Sequence, residues 1–257
     1  MIKENNIMSD TPDNKYEPMI QKTLEKKQSR FSSYLDLFVG KRSFCSFIKY
    51  EILTSLFENC PGAIGIFLRS IFYKLLFKKI GKGVVFGKSV TIRNPYKIKI
   101  GNNVIIDENV MLDAKGIDNN GIEIGDGTYI GRNTILSCKN GDIKLDKNVN
   151  IGFNCEIYSL KDVKIGENTL IAAYTYIIGG GHTATDLDTP FRDQQKHAYG
   201  IEIGKNVWLG AKSIIMDGCS IGDNSIVGAG AVVTQSIPRY CIAAGIPAKI
   251  IKERKKE

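Results

Sequence analysis

A chain of 257 residues can hold one or two domains, and its 35 basic against 27 acidic residues leave a net charge of +8. Basic excess suits nucleic acid, a membrane surface or an anionic ligand. No aromatic RNA-binding signature or helix-turn-helix pattern is present, and much of the excess lies in the N-terminal third and the last nine residues, so no nucleic acid is expected as a partner.

Residues 1–30 are polar and poor in aliphatics, the texture of a flexible tail and not of a signal peptide. From 31 to 82 the pattern turns helical. Ile48, Ile52, Leu53, Leu56 and Phe57 fall at helix spacing, Asn59-Cys60-Pro61-Gly62 makes a break, and Ile64, Leu68, Ile71, Phe72, Leu75 and Leu76 resume it. The longest uncharged run there, Asn59 to Leu68, is too short to cross a bilayer, which takes about 20 residues. Two roles are open to this region: a cap over the open end of whatever follows, or a basic interfacial surface with peripheral membrane contact through 62–80.

Downstream the period becomes six. Ile203, Leu209, Ile215, Ile221, Val227 and Val233 recur without a break, and the triples Ile100/Ile106/Leu112, Ile124/Ile130/Leu136, Leu145/Ile151/Ile157 and Ile165/Ile171/Ile177 carry the rhythm upstream to Phe86 and Ile92. Six is neither the 3.6 of a helix nor the plain 2 of one strand, so each hexad reads as one side of a repeating coil. Gly often follows the aliphatic residue, and four places on stands a small or β-branched one such as Val104, Thr128, Thr169 or Ser225. Tight corners in which Gly or Asn takes a positive φ would join three short strands per coil. About seven coils result, a parallel β-helix whose hand the periodicity leaves open. The longest interruption, from Ile177 to Ile203, begins at Gly179-Gly180-Gly181-His182 and carries Pro190, Phe191, Arg192 and His197. Long excursions from a rigid scaffold are where function concentrates.

Cys45, Cys60, Cys138, Cys155, Cys219 and Cys241 are scattered without a Cys-x-x-Cys pair, which reads as reduced thiols in a cytoplasmic protein; Cys155 and Cys219 occupy the small position of their hexads and read as packing.

The tract Ile203-Gly204-Lys205-Asn206-Val207-Trp208-Leu209-Gly210-Ala211, the tract Ile221 to Thr234 and the closing Ala244-Gly245-Ile246-Pro247-Ala248-Lys249 resemble the hexapeptide-repeat acyltransferases. The likeness is greatest to the sugar and polysaccharide O-acetyltransferases, the branch of the maltose and galactoside acetyltransferases. The resemblance implies an all-β, left-handed parallel β-helix of about seven coils over 83–257, with the N-terminal helical region before it. It also implies a homotrimer with acetyl-CoA as co-substrate in clefts between neighbours and a sugar or lipid-linked glycan as acceptor; the scattered thiols and the interfacial reading of the helical region place the expected action in the cytoplasm, at the inner face of the membrane. Two histidines without a supporting ligand cluster give no zinc set, and no metal is expected.

By family position His182 is the general base, while His197 reads as an ordinary loop residue. In the galactoside branch an Asn thirty residues before the base helps place the acceptor. Here that position is Gly152, with Asn154 and Glu156 nearby, so Glu156 is a candidate orienting partner and Asn154 a candidate acceptor contact, although both also suit a coil corner. For CoA the resemblance assigns Ala211 and Ala229 to the pantetheine path, Thr234 and Gln235 to polar contacts and Lys249 and Lys252 to the phosphates. Gln235 and Lys249 depart from the Lys and Arg of the galactoside branch. Trp208 matches a tryptophan beside the cleft. An N-acyltransferase on an amino sugar or nucleotide-sugar and a non-catalytic scaffold are the alternatives.

Overall fold

The computed structural model describes residues 29–182, 186–191 and 193–254. Most of the tail expected over 1–30, together with Arg192, Lys255 and Lys256, lies outside the described residues.

The aliphatic hexads build three parallel sheets wound around one core. The first face runs from Lys79–Ile80 through Ile98–Ile100 to Ser220–Ile221, the second from Val85–Phe86 to Ile226–Val227, and the third from Thr91–Arg93 to Val232–Val233. Each face holds seven of these strands among the described residues, one per coil, so the prism has seven coils. Coil stacks on coil in strict parallel register, as in Phe86↔Ile106, Ile151↔Ile171↔Leu209 and Leu209↔Val227. With strands about 4.8 Å apart the column is roughly 30 Å tall. Alternation follows from the pleat: in Ile143–Leu145 the flanking aliphatics are buried and Lys144 points out. The smaller hexad position is buried too, and where it is hydroxylated it finds a partner. Thr169 Oγ1 donates to Gly204 O at 2.9 Å and Ser225 Oγ to Pro238 O at 2.7 Å, so these inward hydroxyls are buried without an unpaired donor.

The structure adds detail to two expectations. The first coil opens at Lys79–Ile80, paired with Lys99–Ile100 and ahead of position 83, because Ile80-Gly81 already repeats the Ile-Gly of later coils. The corners take their positive φ from Asn and Gly as expected, Asn103 and Gly127 among them, with the work unevenly shared. Positive φ is carried mostly by asparagines, including Asn103 (55°), Asn133 (59°), Asn168 (59°) and Asn224 (59°), whereas Gly101, Gly166, Gly204 and Gly222 are not in that region. Those glycines lie under the next coil: a Cβ on Gly166 would stand 2.6 Å from the carbonyl carbon of Gly204. Asparagine tolerates the left-handed turn, and glycine permits the close approach.

At the open end of the first coil lie the helices α1 (Arg30–Tyr34), α2 (Phe44–Phe57) and α3 (Gly62–Phe72), with turns at Leu35–Val39 and Tyr73–Leu75. They act as a cap. Tyr73 and Phe77 pack on Phe86, with ring centroids 5.4 and 5.5 Å away. Tyr50 Oη donates to Ile92 O at 2.7 Å. Arg69, almost fully buried, donates from Nε to Phe86 O and from Nη1 to Phe57 O and Cys60 O, at 2.7–3.0 Å. A buried cation is tolerated only when saturated in this way.

Candidate functional site

Extra residues leave the prism at one corner, between the third face and the first: 114–121, 139–142, 160–162 and, longest, 180–200. The last departs from the third-face strand Tyr176–Gly179 of coil five. It opens with a short antiparallel pair, Gly181–His182 against Lys196–His197, in which His182 stands opposite Lys196. Gln194 Nε2 ties the turn to Asp186 O and Thr189 O at 2.7 and 2.8 Å, and the backbone N–H groups of Tyr199 and Gly200 reach Asp217 in coil six at 2.9 Å. The excursion is therefore anchored at its far end to the scaffold.

His182 lies exposed on the wall of a cavity of about 450 Å³ on the outer side of the third face. The floor is made by outward-pointing residues of coils four and five: Tyr158 from Glu156–Ser159, and Tyr176 and Ile178 from Tyr176–Gly179. The two tyrosine rings meet edge to face at 5.8 Å. Leu160, Lys139, Lys196 and the Gly179-Gly180-Gly181 backbone complete the lining. Lys139 Nζ sits 5.0 Å from the Tyr158 ring centre, and burial, reinforced by the cations of Lys115 and Arg93, lowers its affinity for a proton. An exposed imidazole beside an aromatic, largely apolar recess can take a proton from a polar molecule bound there.

Glu156 reaches this cavity indirectly, because its Oε2 accepts a hydrogen bond from Tyr158 Oη at 3.0 Å. Burial, and then that bond, push the Tyr158 phenol well above its usual pKa, so it stays a neutral donor. Below, Asp113 and Lys115 form a buried ion pair, with Ser137 Oγ 3.3 Å from Lys115 Nζ and Arg93 Nη1 3.8 Å from Asp113 Oδ2. Asn154 holds a left-handed corner, φ 55°, the geometry of the other corner asparagines. Tyr158, Tyr176, Lys139 and Lys196 were not singled out from the sequence. The signal for the tyrosines was available: both occupy outward positions on the two coils preceding the excursion.

The remaining candidates gather elsewhere. Ala211 and Ala229 stack on successive coils at the corner between the second and third faces, where Gly230 N–H donates to Ala211 O at 2.8 Å. Ala173 occupies the same corner one coil lower, with Lys212 N–H donating to its carbonyl at 3.0 Å. Thr234 and Gln235 follow Val232–Val233 and are exposed. Lys249 and Lys252 lie on the closing strand Lys249–Glu253, antiparallel to Cys241–Ala244, and Ala248 N–H joins it to Val232 O at 2.8 Å. Thr234, Gln235 and the two lysines thus share the far end of the prism. Trp208 is half exposed on the second face between Leu170 and Ile226, a different face from the His182 cavity. Cys138, Cys155, Cys219 and Cys241 are buried, and burial pushes the Cys138 thiol up to about 12. Among the described residues no three of His, Cys, Asp and Glu gather closely enough to hold a metal ion.

Two segments match family models: residues 200–235 that of the bacterial transferase hexapeptide (six repeats), and residues 79–114 that of the hexapeptide repeat of succinyl-transferase. The chain is 30% identical over 164 residues to "Probable acetyltransferase Rv3034c" of Mycobacterium tuberculosis, covering 62% of this chain and 55% of that protein. It is 37% identical over 112 residues to the galactoside O-acetyltransferase of Escherichia coli, covering 44% and 54%. The chain thus spans about half the length of these curated relatives. Among solved structures, a single-site mutant of AntD, an N-acyltransferase from Bacillus cereus in complex with dTDP and Coenzyme A, superposes with a TM-score of 0.51 at 26% identity, covering 71% of this chain and 88% of that one. Repeat, coil geometry and similarity agree: the chain carries hexapeptide repeats over residues 79–114 and 200–235 and is similar to hexapeptide-repeat transferases.

Proposed function

We propose that this protein is a CoA-dependent O-acetyltransferase that moves an acetyl group from acetyl-CoA to a hydroxyl of a sugar or surface glycan, with His182 as general base. The observation that carries the reading is the placement of His182 on the wall of a tyrosine-lined recess at the root of the long excursion. A sugar ring fits such a recess, since tyrosine offers an apolar face with a hydroxyl at its tip. The acceptor oxygen attacks the thioester carbonyl while the imidazole takes its proton, and collapse of the tetrahedral intermediate expels the CoA thiolate, which recovers that proton. Tyr158, steadied by Glu156, orients the acceptor from the floor.

The donor would run along the small corner of Ala173, Ala211 and Ala229, with its phosphates at Lys249 and Lys252. Because Trp208 and the His182 cavity occupy different faces of one prism, a site that uses both needs a neighbouring copy, which supports a homotrimer. The reaction belongs on the cytoplasmic side, where the donor is made. A second reading, N-acylation of a nucleotide-linked amino sugar, is favoured by the likeness to AntD.

The deciding experiment follows free thiol release from acetyl-CoA against a panel of sugar hydroxyl and amino-sugar acceptors. Turnover with hydroxyl acceptors alone is expected; turnover with amines alone would establish the second reading, and release with neither would leave a scaffold.

A further inference from the structure

Each of the two longer helices of the cap packs one side on the prism and turns an apolar second side outward. α2 turns Tyr50 and Leu53 toward the prism and α3 turns Gly65 and Arg69 toward it, held by the bonds to Ile92 O and Phe86 O. On its other side α2 exposes Phe44, Ile48, Ile52 and Leu56, one every four residues, and α3 exposes Ile64, Phe67 and Ile71. At about 100° per residue each stripe lies roughly opposite its anchoring residues. The exposure is large: 73% for Phe44, 70% for Ile64 and 63% for Phe67. A surface helix that met only water on that side would carry polar residues there, so this side is made for a second apolar contact.

The charge around the stripes narrows the occupant. Lys41, Lys49, Lys74, Lys78, Lys79 and Lys82 are exposed. The acids between 41 and 82 are Glu51 and Glu58, both half-buried; Glu51 accepts from Tyr34 Oη, and burial lifts the Glu58 carboxyl above its usual range. Within residues 41–82 the exposed charges are cationic, and neither carboxylate of that segment is exposed.

We propose that this surface docks on an anionic lipid bilayer, with the stripes of α2 and α3 entering the boundary between headgroups and acyl chains and the lysines meeting headgroup phosphates. No described helix is long and apolar enough to cross a membrane, so the contact lies in the plane of the interface. A second copy of this chain would satisfy the stripes but would bring two lysine rims together. The surface extends the contact expected through 62–80 back to Phe44. It also goes beyond the acyl-transfer reading and does not depend on it, since neither His182 nor the closing strand takes part.

Co-sedimentation of the full chain with vesicles of phosphatidylcholine alone, and of phosphatidylcholine with phosphatidylglycerol, tests this. Partition into the anionic vesicles is expected to be at least about tenfold stronger and to fall as salt is raised. Two variants at exposed positions, Ile52→Glu/Phe67→Glu and Lys74→Glu/Lys78→Glu/Lys79→Glu, should each lower it by about tenfold or more while the circular dichroism and thiol release with a soluble acceptor stay unchanged. Absence of wild-type binding to anionic vesicles, or binding that neither variant alters, overturns the proposal. So does a loss of oligomer mass in the Ile52→Glu/Phe67→Glu variant with vesicle binding intact, which would assign the stripes to a second copy of the chain.

Discussion

His182 and His197 sit at neighbouring rungs of one short strand pair, yet their surroundings differ. A side-chain carbon on Gly181 would stand 3.1 Å from the His197 ring, which also lies 5.6 Å from the Tyr199 ring, so His197 is packed against its own hairpin. His182 faces the recess. Substituting His182→Ala should therefore lower kcat by roughly two to four orders of magnitude with little change in donor affinity, the usual consequence of losing a general base. His197→Ala should retain most of the turnover. Steady-state kinetics on the two variants separate the roles, and a His182→Ala enzyme with near wild-type kcat would remove it from the chemistry. Tyr158→Phe offers a finer check: without the hydroxyl that Glu156 holds, KM for the acceptor should rise more than kcat falls.

At the level of the coil, glycine and asparagine do different work, and that difference can be measured. Gly166→Ala places a methyl 2.6–2.8 Å from the backbone of Gly204 and Lys205, and should cost about 2 kcal/mol or more as the coils are forced apart. Gly230, with φ 69° and nothing within 4 Å of an added carbon, should lose only about 1 kcal/mol on the same change, from backbone strain alone. Urea unfolding of the two variants decides it, and equal losses would mean that coil stacking has more slack than the geometry allows. The closing strand Lys249–Glu253 carries a second element-scale prediction. If Lys249 and Lys252 meet the 3′-phosphate of CoA, the double change to Ala should raise KM for acetyl-CoA but not for dephospho-acetyl-CoA. Equal losses for both donors would assign these lysines to another task.

The whole prism presents faces of different character. The third face carries the recess, the second carries Trp208, and the corner between them carries the three alanines. A site assembled from the third face of one copy and the second face of the next would place base and donor path together, and threefold closure allows every copy to take part equally. Light scattering on the purified protein should give about three times the 28.5 kDa of one chain. Mixing a His182→Ala copy with one disabled at Lys249 and Lys252 should then restore part of the activity through mixed trimers. A fully active monomer would end the shared-site arrangement.

The repeat was legible in the sequence because a solenoid writes its structure locally: each hexad buries one aliphatic side chain against the same position of the next coil, so Leu209 and Val227, three unbroken hexads apart, declare their stacking by spacing alone. The helical texture before it and the root of the excursion at His182 were legible for the same reason, as breaks in a period. What only the tertiary structure decided lies between coils and across corners. Tyr158 and Tyr176 meet because their strands are adjacent rungs, Glu156 touches Tyr158 across two residues of one strand, and Trp208 is carried to another face by a single corner. Spacing along the chain determines which residues point out, but the distances among outward residues follow from how the coils stack and where the excursion folds back, and those are set by contacts between residues far apart in the sequence.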